Sequence, residues 1–275
     1  MSISDQGGTA VITGAGSGIG LGLARRLAER GFDIVVADLD EARANEAAQD
    51  IEARGVHAVP VRVDVSSYED VLRLADVSYD SFGSVDMLVN NAGIEATGYL
   101  WETDPATWRK VIDVNVMGVY HGLRAFLPRM MAQEGRSTIV NVASLAALAS
   151  GPAQQSAYNA SKHAVLAATE CLRLELTEVR APIDLHVVLP GPVSTKIFED
   201  ALATTGTADT CREQLHRFVT DEGLSPDEAA AAILAGIDAK AFWISTHESM
   251  HASFAERRAE LLTRRLTSTA VPIGV

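Results

Sequence analysis

Short runs of Val, Ile, Leu and Ala alternate along the chain with longer stretches in which apolar and charged residues mix. Seven of these runs have the length of a β-strand, and they lie at residues 9–13, 33–38, 57–63, 86–90, 138–142, 184–189 and 242–246. Within a run the apolar residues are consecutive, which is typical of parallel strands that are buried on both faces. The intervening stretches have a helical pattern, so the chain predicts a regular alternation of strands and helices.

This alternation predicts the α/β fold class, with one doubly wound parallel sheet of the Rossmann type. Parallel strands need crossover connections, and helical crossovers cover both faces of the sheet. The longest predicted helices span residues 105–133 and 157–180, and Ser66 is predicted to cap a helix that ends near residue 82. Ligands bind such sheets at the carboxyl ends of the strands, so the segments that follow strands are the candidates for function.

No internal repeat and no Pro-, Gly- or Ser-rich linker divides the chain, so residues 1–275 are predicted to form a single domain. The apolar pattern weakens over residues 195–222, which predicts a mobile, partly helical lid over a substrate. A helix start follows at Ser225, with Pro226 at the first helical position. Residues 247–275 are predicted to form a C-terminal helix and tail.

Composition excludes several classes of protein. The chain is 47% hydrophobic and 21% charged with a net charge of −13, which favours a folded protein and argues against a nucleic-acid partner. Its two cysteines stand in no metal-binding motif, so no metal site is predicted. No apolar stretch is long enough for a membrane span and no signal peptide is evident, which predicts a cytoplasmic protein. Four arginines near the C-terminus, whose spacing favours a solvated helix face, are Arg257, Arg258, Arg264 and Arg265.

A glycine-rich turn, TGAGSGIG at residues 13–20, follows the first predicted strand. Its spacing fits T-G-x-x-x-G-x-G, with Gly14, Gly18 and Gly20, and not G-x-G-x-x-G. Glycines at these positions allow a tight turn and let the backbone approach a pyrophosphate at the N-terminus of the next helix. Alone, the turn could also be a surface turn without a ligand.

Asp38 ends the second predicted strand, 24 residues after Gly14. A carboxylate at this position accepts hydrogen bonds from the ribose of an adenosine and repels a 2′-phosphate. Ser17 and Leu39 occupy the positions where an NADP site usually has a basic residue. The predicted cofactor is therefore NAD.

Tyr158 and Lys162 are four residues apart, so they share one face of a predicted helix. An ammonium group beside a phenol favours the phenolate, so we expect Lys162 to lower the pKa of Tyr158 from about 10 towards the working range. Such a phenol can exchange a proton with an alcohol. An isolated pair of this kind is more often a surface feature of a helix.

The TGAGSGIG turn, NNAG at residues 90–93 and YNASK at 158–162 together resemble the short-chain dehydrogenase/reductase family, in order and spacing, from about residue 9 to residue 195. The resemblance implies that Ser144 hydrogen-bonds the substrate oxygen, and that Ser144 and Tyr158 bind the substrate. It implies that Asn115 bends its helix and holds a water that links the lysine to solvent. Lys162 would also bind the nicotinamide ribose.

Further cofactor contacts follow from the same resemblance. Asp64 and Val65 match two residues that contact the adenine in the family. The PGPVST segment matches family residues that contact the nicotinamide carboxamide. The residues predicted to bind the cofactor are Gly14, Ser17, Gly18, Ile19, Gly20, Asp38, Leu39, Asp64, Val65, Asn91, Ala92, Gly93, Tyr158, Lys162, Pro190, Val193 and Thr195.

The predicted activity is an NAD(H)-dependent interconversion of a secondary alcohol and a ketone. Near the C-terminus, the last predicted strand is followed by S-T-H and a predicted helix. This arrangement resembles that of a bacterial subgroup that acts on bulky apolar or aryl secondary alcohols, including lignin-derived aryl ethers. The residues predicted to make an apolar pocket are Phe198, Leu202, Leu215 and Phe218 in the lid, with Met117, Leu145 and Ala149 beside it. A lid helix that packs on its own core would show the same composition.

Two other functions remain open at this point. The chain could be a non-catalytic NAD(H)-binding module that senses redox state, although all four catalytic positions are filled. A nucleotide-sugar epimerase or dehydratase shares the Tyr-x-x-x-Lys pattern but usually has a larger C-terminal domain. We expect a homodimer or a homotetramer, with the helices around residues 116–131 and 157–180 at its interface.

Overall fold

The strands of the protein form one large parallel sheet and one small one. The computed structural model describes residues 7–149, 153–203 and 206–263. Its strands are β1 (Gly8–Thr13), β2 (Phe32–Asp38), β3 (Ala58–Arg62), β4 (Met87–Asn90), β5 (Ala96–Thr97), β6 (Ser137–Val142), β7 (Ile183–Leu189), β8 (Leu202–Ala203) and β9 (Trp243–Ser245). Seven of them form a sheet in the order β3-β2-β1-β4-β6-β7-β9. The predicted doubly wound α/β fold of about seven strands is confirmed.

Helices cover both faces of this sheet. They are α1 (Gly18–Glu29), α2 (Glu41–Glu52), α3 (Tyr68–Phe82), α4 (Pro105–Ile112), α5 (Gly118–Ala132), α6 (Ser156–Glu178), α7 (Gly206–Glu222), α8 (Pro226–Asp238) and α9 (Glu248–Thr263). No helix among the described residues has the length and apolar character needed to cross a membrane. Residues 1–6 and the predicted tail after residue 263, with Arg264 and Arg265, lie outside the described part of the chain.

The apolar side chains of the strands belong to two hydrophobic cores, one on each face of the sheet. Ile12 and Ile34 pack with Leu23 of α1 and Ile233 of α8 on the first face. On the second face, Val11 and Val35 pack with residues of α3 and α5, among them Leu74 and Phe126. Each fully buried side chain of this size contributes about 1.5–3 kcal/mol, which explains why uninterrupted apolar runs form the centre of the sheet.

The strand order reverses beside β1, and this reversal positions the site. The chain passes from β1 outward to β2 and β3, and then returns to place β4 on the other side of β1. The connections after β1 and β4 therefore leave the sheet in opposite directions. A crevice opens between them at the carboxyl edge, where sheets of this kind bind ligands.

The predicted helix over residues 105–133 is in fact three segments. Between α4 and α5 the chain forms a π-helical segment, Asp113–Met117, that contains Asn115. A π-helical turn holds one extra residue and displaces its side chains from the regular helical path. Apolar periodicity does not reveal such a turn, because the segments on both sides continue the same pattern.

The predicted cap of α3 is wrong by one residue. Ser67 caps the helix, and its side chain accepts a hydrogen bond from the Asp70 amide at 3.3 Å. Ser66 instead donates its hydroxyl to the Asp64 carboxylate at 2.6 Å. The predicted start of α8 is correct, since Ser225 and Glu228 form a reciprocal capping box there.

Candidate active site

The glycine turn after β1 has the backbone shape that its glycines suggest. Gly14 and Gly18 have φ angles of +65° and +53°, in the left-handed region that favours glycine. A Cβ atom on Gly20 would overlap the carbonyl oxygen of Gly14, so the glycine turn and the first turn of α1 are in direct contact. Ser17, which caps α1, makes no capping hydrogen bond with its side chain. The turn is thus a close-packed backbone cradle that larger side chains would fill.

The segment after β4 holds this cradle in place. The Asn91 side-chain amide donates to the carbonyl oxygens of Thr13 and Gly14, at 2.8 and 3.2 Å. The Thr13 hydroxyl accepts hydrogen bonds from the Asn91 and Ala92 amides, at 3.0 and 3.1 Å. Sequence reasoning considered only the backbone of Asn91, as a contact for the ribose. The structure adds a bracing function for its side chain.

Asp38 lies at the end of β2 beside the cradle, as predicted. Its carboxylate accepts hydrogen bonds from the Gly16 amide at 2.9 Å and the Asp40 amide at 3.0 Å. A carboxylate has about four acceptor sites, so capacity remains for the two hydroxyls of a ribose. Leu39 is 57% exposed and lines the cleft next to it. The free acceptor sites of the Asp38 carboxylate fit an adenosine ribose with a free 2′-hydroxyl.

Arg43 on α2 is a basic residue in this region that the sequence interpretation missed. It lines the cleft, and its guanidinium lies 3.4 Å from the Asp40 carboxylate and 3.2 Å from that of Asp200. Sequence reasoning tested only the positions of Ser17 and Leu39. The pairing of Arg43 with two carboxylates leaves the Asp38 carboxylate as the group that faces the ribose position.

At the other end of the cleft, three predicted catalytic side chains come together. Tyr158 and Lys162 lie one turn apart on α6, and the Lys162 Nζ atom lies 5.6 Å from the centre of the Tyr158 ring. Ser144, which follows β6, lines the same part of the cleft, and its side chain is close enough to the Tyr158 hydroxyl to lower the pKa of Tyr158. Lys162 donates to the carbonyl oxygen of Val142 at 3.0 Å, which fixes its ammonium group beneath the phenol.

The predicted direction of the Tyr158 pKa shift is wrong for the protein without a cofactor. Burial raises the pKa of Tyr158, the charge of Glu95 raises it further, and the hydrogen bond from Ser144 lowers it. Burial also lowers the pKa of Lys162 to about 8, against an opposing effect of Glu95. Both groups are removed from water, which disfavours the charged form of each. The sequence showed the neighbouring ammonium but not the depth of burial.

Asn115 joins two parts of the site from its position in the π-helical segment. Its side-chain amide donates to the Ile94 carbonyl oxygen and to Ser161 Oγ, both at 2.9 Å, and its carbonyl oxygen accepts from the Ile94 amide at 2.8 Å. The segment after β4 is thereby connected to α6. A Cβ atom on Gly93 would lie 3.4 Å from both Asn115 Oδ1 and Lys162 Nζ, so these two groups are close neighbours.

Most of the predicted site residues border one continuous cleft of about 1530 Å³. The predicted residues that line it are Gly14, Ser17, Gly18, Ile19, Asp38, Leu39, Asp64, Val65, Asn91, Ala92, Gly93, Ser144, Tyr158, Lys162, Pro190, Val193 and Thr195. Gly20 and Asn115 do not line the cleft. They contact residues that support it. The predicted positions that line the cleft therefore come from seven separate segments of the chain.

The outer part of the cleft is apolar and includes the predicted lid. Its four predicted lid residues, Phe198, Leu202, Leu215 and Phe218, line the cleft, as do Leu145 and Ala149. Met117 does not. Residues 195–222 contain β8, and most of the other residues in this range belong to α7. Residues 204 and 205, within the TTGTADT stretch, lie outside the described part of the chain. β8 pairs with β5, a small sheet that the sequence did not predict because each strand has only two residues.

The C-terminal helix α9 also contributes to the cleft, which sequence reasoning missed. Met250, Phe254 and Leu261 add apolar surface, and Arg257 and Arg258 line the cleft as well. These two arginines were predicted to lie on a solvated helix face, and that prediction did not include their contact with the cleft. Apolar residues spaced along a charged helix were the available signal, but they do not identify the surface that the helix covers.

Glu95 and Gln155 are two further cleft residues that the sequence did not reveal. The Glu95 side chain is buried, and its carboxylate accepts a hydrogen bond from Gln155 Nε2 at 3.1 Å. Glu95 follows the NNAG segment after one intervening residue, so an ionisable residue near the end of β4 was visible. Its burial was not.

Comparisons with known proteins agree with this geometry. Residues 8–206 match a family model described as short chain dehydrogenase. The oxidoreductase SadH of Mycobacterium tuberculosis is 37% identical over 235 residues, which cover 85% of this chain and 84% of that protein. A 1-deoxy-11-beta-hydroxypentalenate dehydrogenase of Streptomyces exfoliatus is 38% identical over 201 residues, which cover 72% and 71% of the two chains.

A solved structure gives the same result for the fold. A short chain dehydrogenase/reductase from Burkholderia phymatum, determined in complex with NAD, superposes with a TM-score of 0.93 at 36% identity. The match covers 100% of both chains. The similarity therefore includes the lid and the C-terminal helix as well as the sheet.

Proposed function

Because the chain belongs to the short chain dehydrogenase family, we propose that it interconverts a secondary alcohol and a ketone by hydride transfer. The observation that carries this proposal is the position of Tyr158. It lines one cleft together with Ser144, the glycine cradle and the apolar lid. A carbinol carbon placed there would have a proton-transfer group on its oxygen.

The cofactor of this oxidoreductase is NAD. The glycine cradle would hold its pyrophosphate, and Asp38 would accept hydrogen bonds from its adenosine ribose. When bound, NAD accepts or supplies the hydride. Val193 and Thr195, which line the cleft below the lid, would hold the nicotinamide end.

The proton is handled by side chains of the chain itself. Tyr158 would donate its proton to the oxygen of a ketone, or accept the proton of an alcohol in the opposite direction. Ser144 would hydrogen-bond the same oxygen and stabilise the charge that develops on it. Lys162, whose Nζ atom lies 5.6 Å from the centre of the Tyr158 ring, would place a positive charge near the phenol and offset part of the cost of ionising it.

The substrate class that the cleft supports is a bulky, apolar secondary alcohol, such as an aryl, terpenoid or steroid-like one. Seven apolar side chains from the lid and α9 line the outer cleft: Phe198, Leu202, Leu215, Phe218, Met250, Phe254 and Leu261. A relative that is 38% identical is named for a hydroxylated substrate and a dehydrogenase reaction. The hydroxyl groups of a polar sugar would find no hydrogen-bonding partners on this wall.

A homo-oligomer, dimer or tetramer, is part of the proposal. Large apolar side chains with exposed fractions between 37% and 67% are Tyr120 and Met131 on α5, Leu174 on α6, and Val179 directly after α6. These are the two helices for which the sequence predicted an interface. Association would remove this surface from water.

The test is NAD reduction, followed by absorbance, with a panel of small and bulky secondary alcohols. We expect the bulky apolar members to be oxidised, and Tyr158→Phe to lose roughly two to four orders of magnitude in kcat. Tyr79→Phe, which removes a hydroxyl of α3 that lies outside the cleft, is the matched control and should keep full activity. Undiminished turnover in Tyr158→Phe would refute the assigned chemistry. NAD binding without turnover of any alcohol would favour the redox-sensing alternative.

A further inference from the structure

Two buried polar side chains, Glu95 and Gln155, form a polar pair at the substrate end of the cleft. Both residues line the cleft, although Glu95 is only 1% exposed and Gln155 only 6%. Gln155 Nε2 donates a hydrogen bond to Glu95 Oε2 at 3.1 Å. Burying polar groups is unfavourable unless they find partners, and a few polar groups in an apolar cavity commonly orient its ligand.

The polar pair lies between the lid and the reacting groups. The Glu95 carbonyl oxygen accepts a hydrogen bond at 3.0 Å from the amide of Leu202, a lid residue that also lines the cleft. Gln155 is the N-cap residue of α6, and Tyr158 is the third residue of that helix. Residues at these two positions are close neighbours, as the capping box shows. Gln155 therefore borders the place where a substrate would contact Tyr158.

The Gln155 side chain does not cap its own helix. It makes no capping hydrogen bond with the described residues of the first helical turn, and glutamine is not among the residues preferred at N-caps. The segment is fixed instead by the Gly98 amide, which donates to the Gln154 carbonyl oxygen at 2.8 Å. Gln154 has a φ angle of +70°, which is strained for a residue other than glycine. Such strain persists where the surrounding structure holds it, so the fold fixes the position from which Gln155 projects.

The Glu95 carboxylate keeps free acceptor sites. Its Oε1 atom accepts a hydrogen bond from the Ala96 amide at 3.1 Å, and its Oε2 atom accepts the bond from Gln155. A carboxylate has about four acceptor sites, so these two bonds leave capacity for a further donor. A negatively charged ligand group would be repelled from this position.

The Gln155 carbonyl oxygen also lacks a donor. Because a carboxylate only accepts, Gln155 turns its amide nitrogen to Glu95 and its carbonyl oxygen away from it. Within the described part of the chain nothing donates to Gln155 Oε1, and this oxygen is not sealed in the interior. Since Gln155 lines the cleft, its oxygen is open to a ligand there. The polar pair therefore favours a ligand group that donates hydrogen bonds.

We propose that Gln155, held in place by Glu95, is a specificity-determining residue that accepts a hydrogen bond from a second polar group of the substrate. This rests on the proposed function, which places the reacting alcohol at Tyr158. The substrate is then a secondary alcohol with an apolar body and a hydroxyl or amino group close to the reacting carbinol carbon. The lid and α9 bind the apolar body, and the polar pair selects for the second group.

Aryl alcohols of similar size test this assignment. 1-Phenylethane-1,2-diol carries a second hydroxyl, 2-methoxy-1-phenylethanol keeps that oxygen without its proton, and 1-phenylpropan-1-ol has a methyl group in its place. We expect kcat/KM with NAD to be roughly 10- to 100-fold higher for the diol, because the other two leave buried acceptors without a donor. Equal values for the diol and the other two would overturn the proposal. A still higher value for 2-amino-1-phenylethanol would support it and identify the donor as an ammonium group.

Gln155→Met is the decisive variant, because it keeps the length of the side chain and removes the acceptor. The kcat/KM of the diol should fall to that of the methyl ether, while the value for the ether stays close to the native one. A purely structural role would lower both values by the same factor, and that result would overturn the proposal. Gln49→Met, an exposed position of α2 outside the cleft, is the matched control and should leave the ratio of the two substrates unchanged.

A binding measurement separates this proposal from the proposed function, and it needs only the native chain if Gln155→Met does not fold. NADH cannot accept a hydride, so calorimetric titration of the NADH-loaded protein with each alcohol measures binding without turnover. We expect the diol to bind roughly tenfold or more tightly than the methyl ether. If it does while NAD oxidises neither alcohol, the proposed function fails and the assignment of Gln155 stands. If both alcohols are oxidised and bind equally, the proposed function stands and the assignment of Gln155 fails.

Discussion

The two ends of the cleft are built in different ways. At the nucleotide end, a short backbone turn and the ends of three neighbouring strands form the wall, and Asn91 and Asp38 brace it with hydrogen bonds of 2.8–3.2 Å. At the substrate end, side chains of the lid, α7 and α9 form the wall around Tyr158. The first end depends on main-chain conformation, and the second depends on how distant elements pack.

This difference determines which substitutions each end tolerates. A backbone cradle has no spare volume, so one methyl group can block it. An apolar side-chain wall can change its shape by exchanging one hydrophobic residue for another at modest cost. We therefore expect cofactor binding to be sensitive to single atoms and substrate choice to vary more gradually.

The largest effect of this kind is expected for Gly20→Ala. Its Cβ atom would overlap the Gly14 carbonyl oxygen, so the turn must shift away from its present position. A displacement of about 1 Å lowers kcat/KM by roughly 100-fold. Steady-state kinetics with varied NAD would measure this loss.

Gly83→Ala is the control for that substitution. Gly83 has a φ angle of +79°, but no atom of the described residues lies within 4 Å of the place that the new methyl group would take. We expect a loss of about 1 kcal/mol in unfolding free energy from backbone strain and no change in the KM for NAD. Equal kinetic losses in the two variants would show that the cradle is not close-packed in solution.

A smaller effect is expected for Asp38→Asn, which removes the charge that faces the ribose position. The preference for NAD over NADP should narrow by roughly ten- to a hundredfold, since a hydrogen bond to a charged group contributes about 1.5–3 kcal/mol. Calorimetric titration with both nucleotides would measure it. Asp33→Asn, at the opposite end of β2, should leave the ratio unchanged. An unchanged ratio in Asp38→Asn would place the discrimination elsewhere.

The smallest effect is expected for Arg43→Ala, which breaks an ion pair between α2 and Asp200 across the nucleotide end. Partly exposed ion pairs contribute about 0–1 kcal/mol, so the KM for NAD should rise less than about fivefold. A double-mutant cycle with Asp200→Ala would isolate the pair. A larger loss for NADP than for NAD would show instead that Arg43 contacts the 2′-phosphate.

Much of this architecture could be predicted from the sequence, for local physical reasons. The strands are uninterrupted apolar runs, and the turn at Gly14 and Gly18 needs the left-handed conformation that glycine adopts most readily. The spacing of Tyr158 and Lys162 places them on one face of α6 whatever the rest of the chain does. By contrast, the π-helical turn at Asn115 and the pairing of β5 with β8 depend on contacts between distant segments.

The sequence by itself determined the fold class, the nucleotide turn, the acidic residue at the end of β2 and the order of the catalytic positions. Each of these follows from interactions within one turn or one strand. Only the tertiary structure decided that Glu95 is buried, that α9 and its arginines reach the cleft, and that burial raises the pKa of Tyr158. Burial and electrostatic pairing depend on distances through space, and one residue's neighbours along the chain do not fix them. Tyr158 was thus recognisable from its motif, while its charge state was set by residues that approach it in the folded chain.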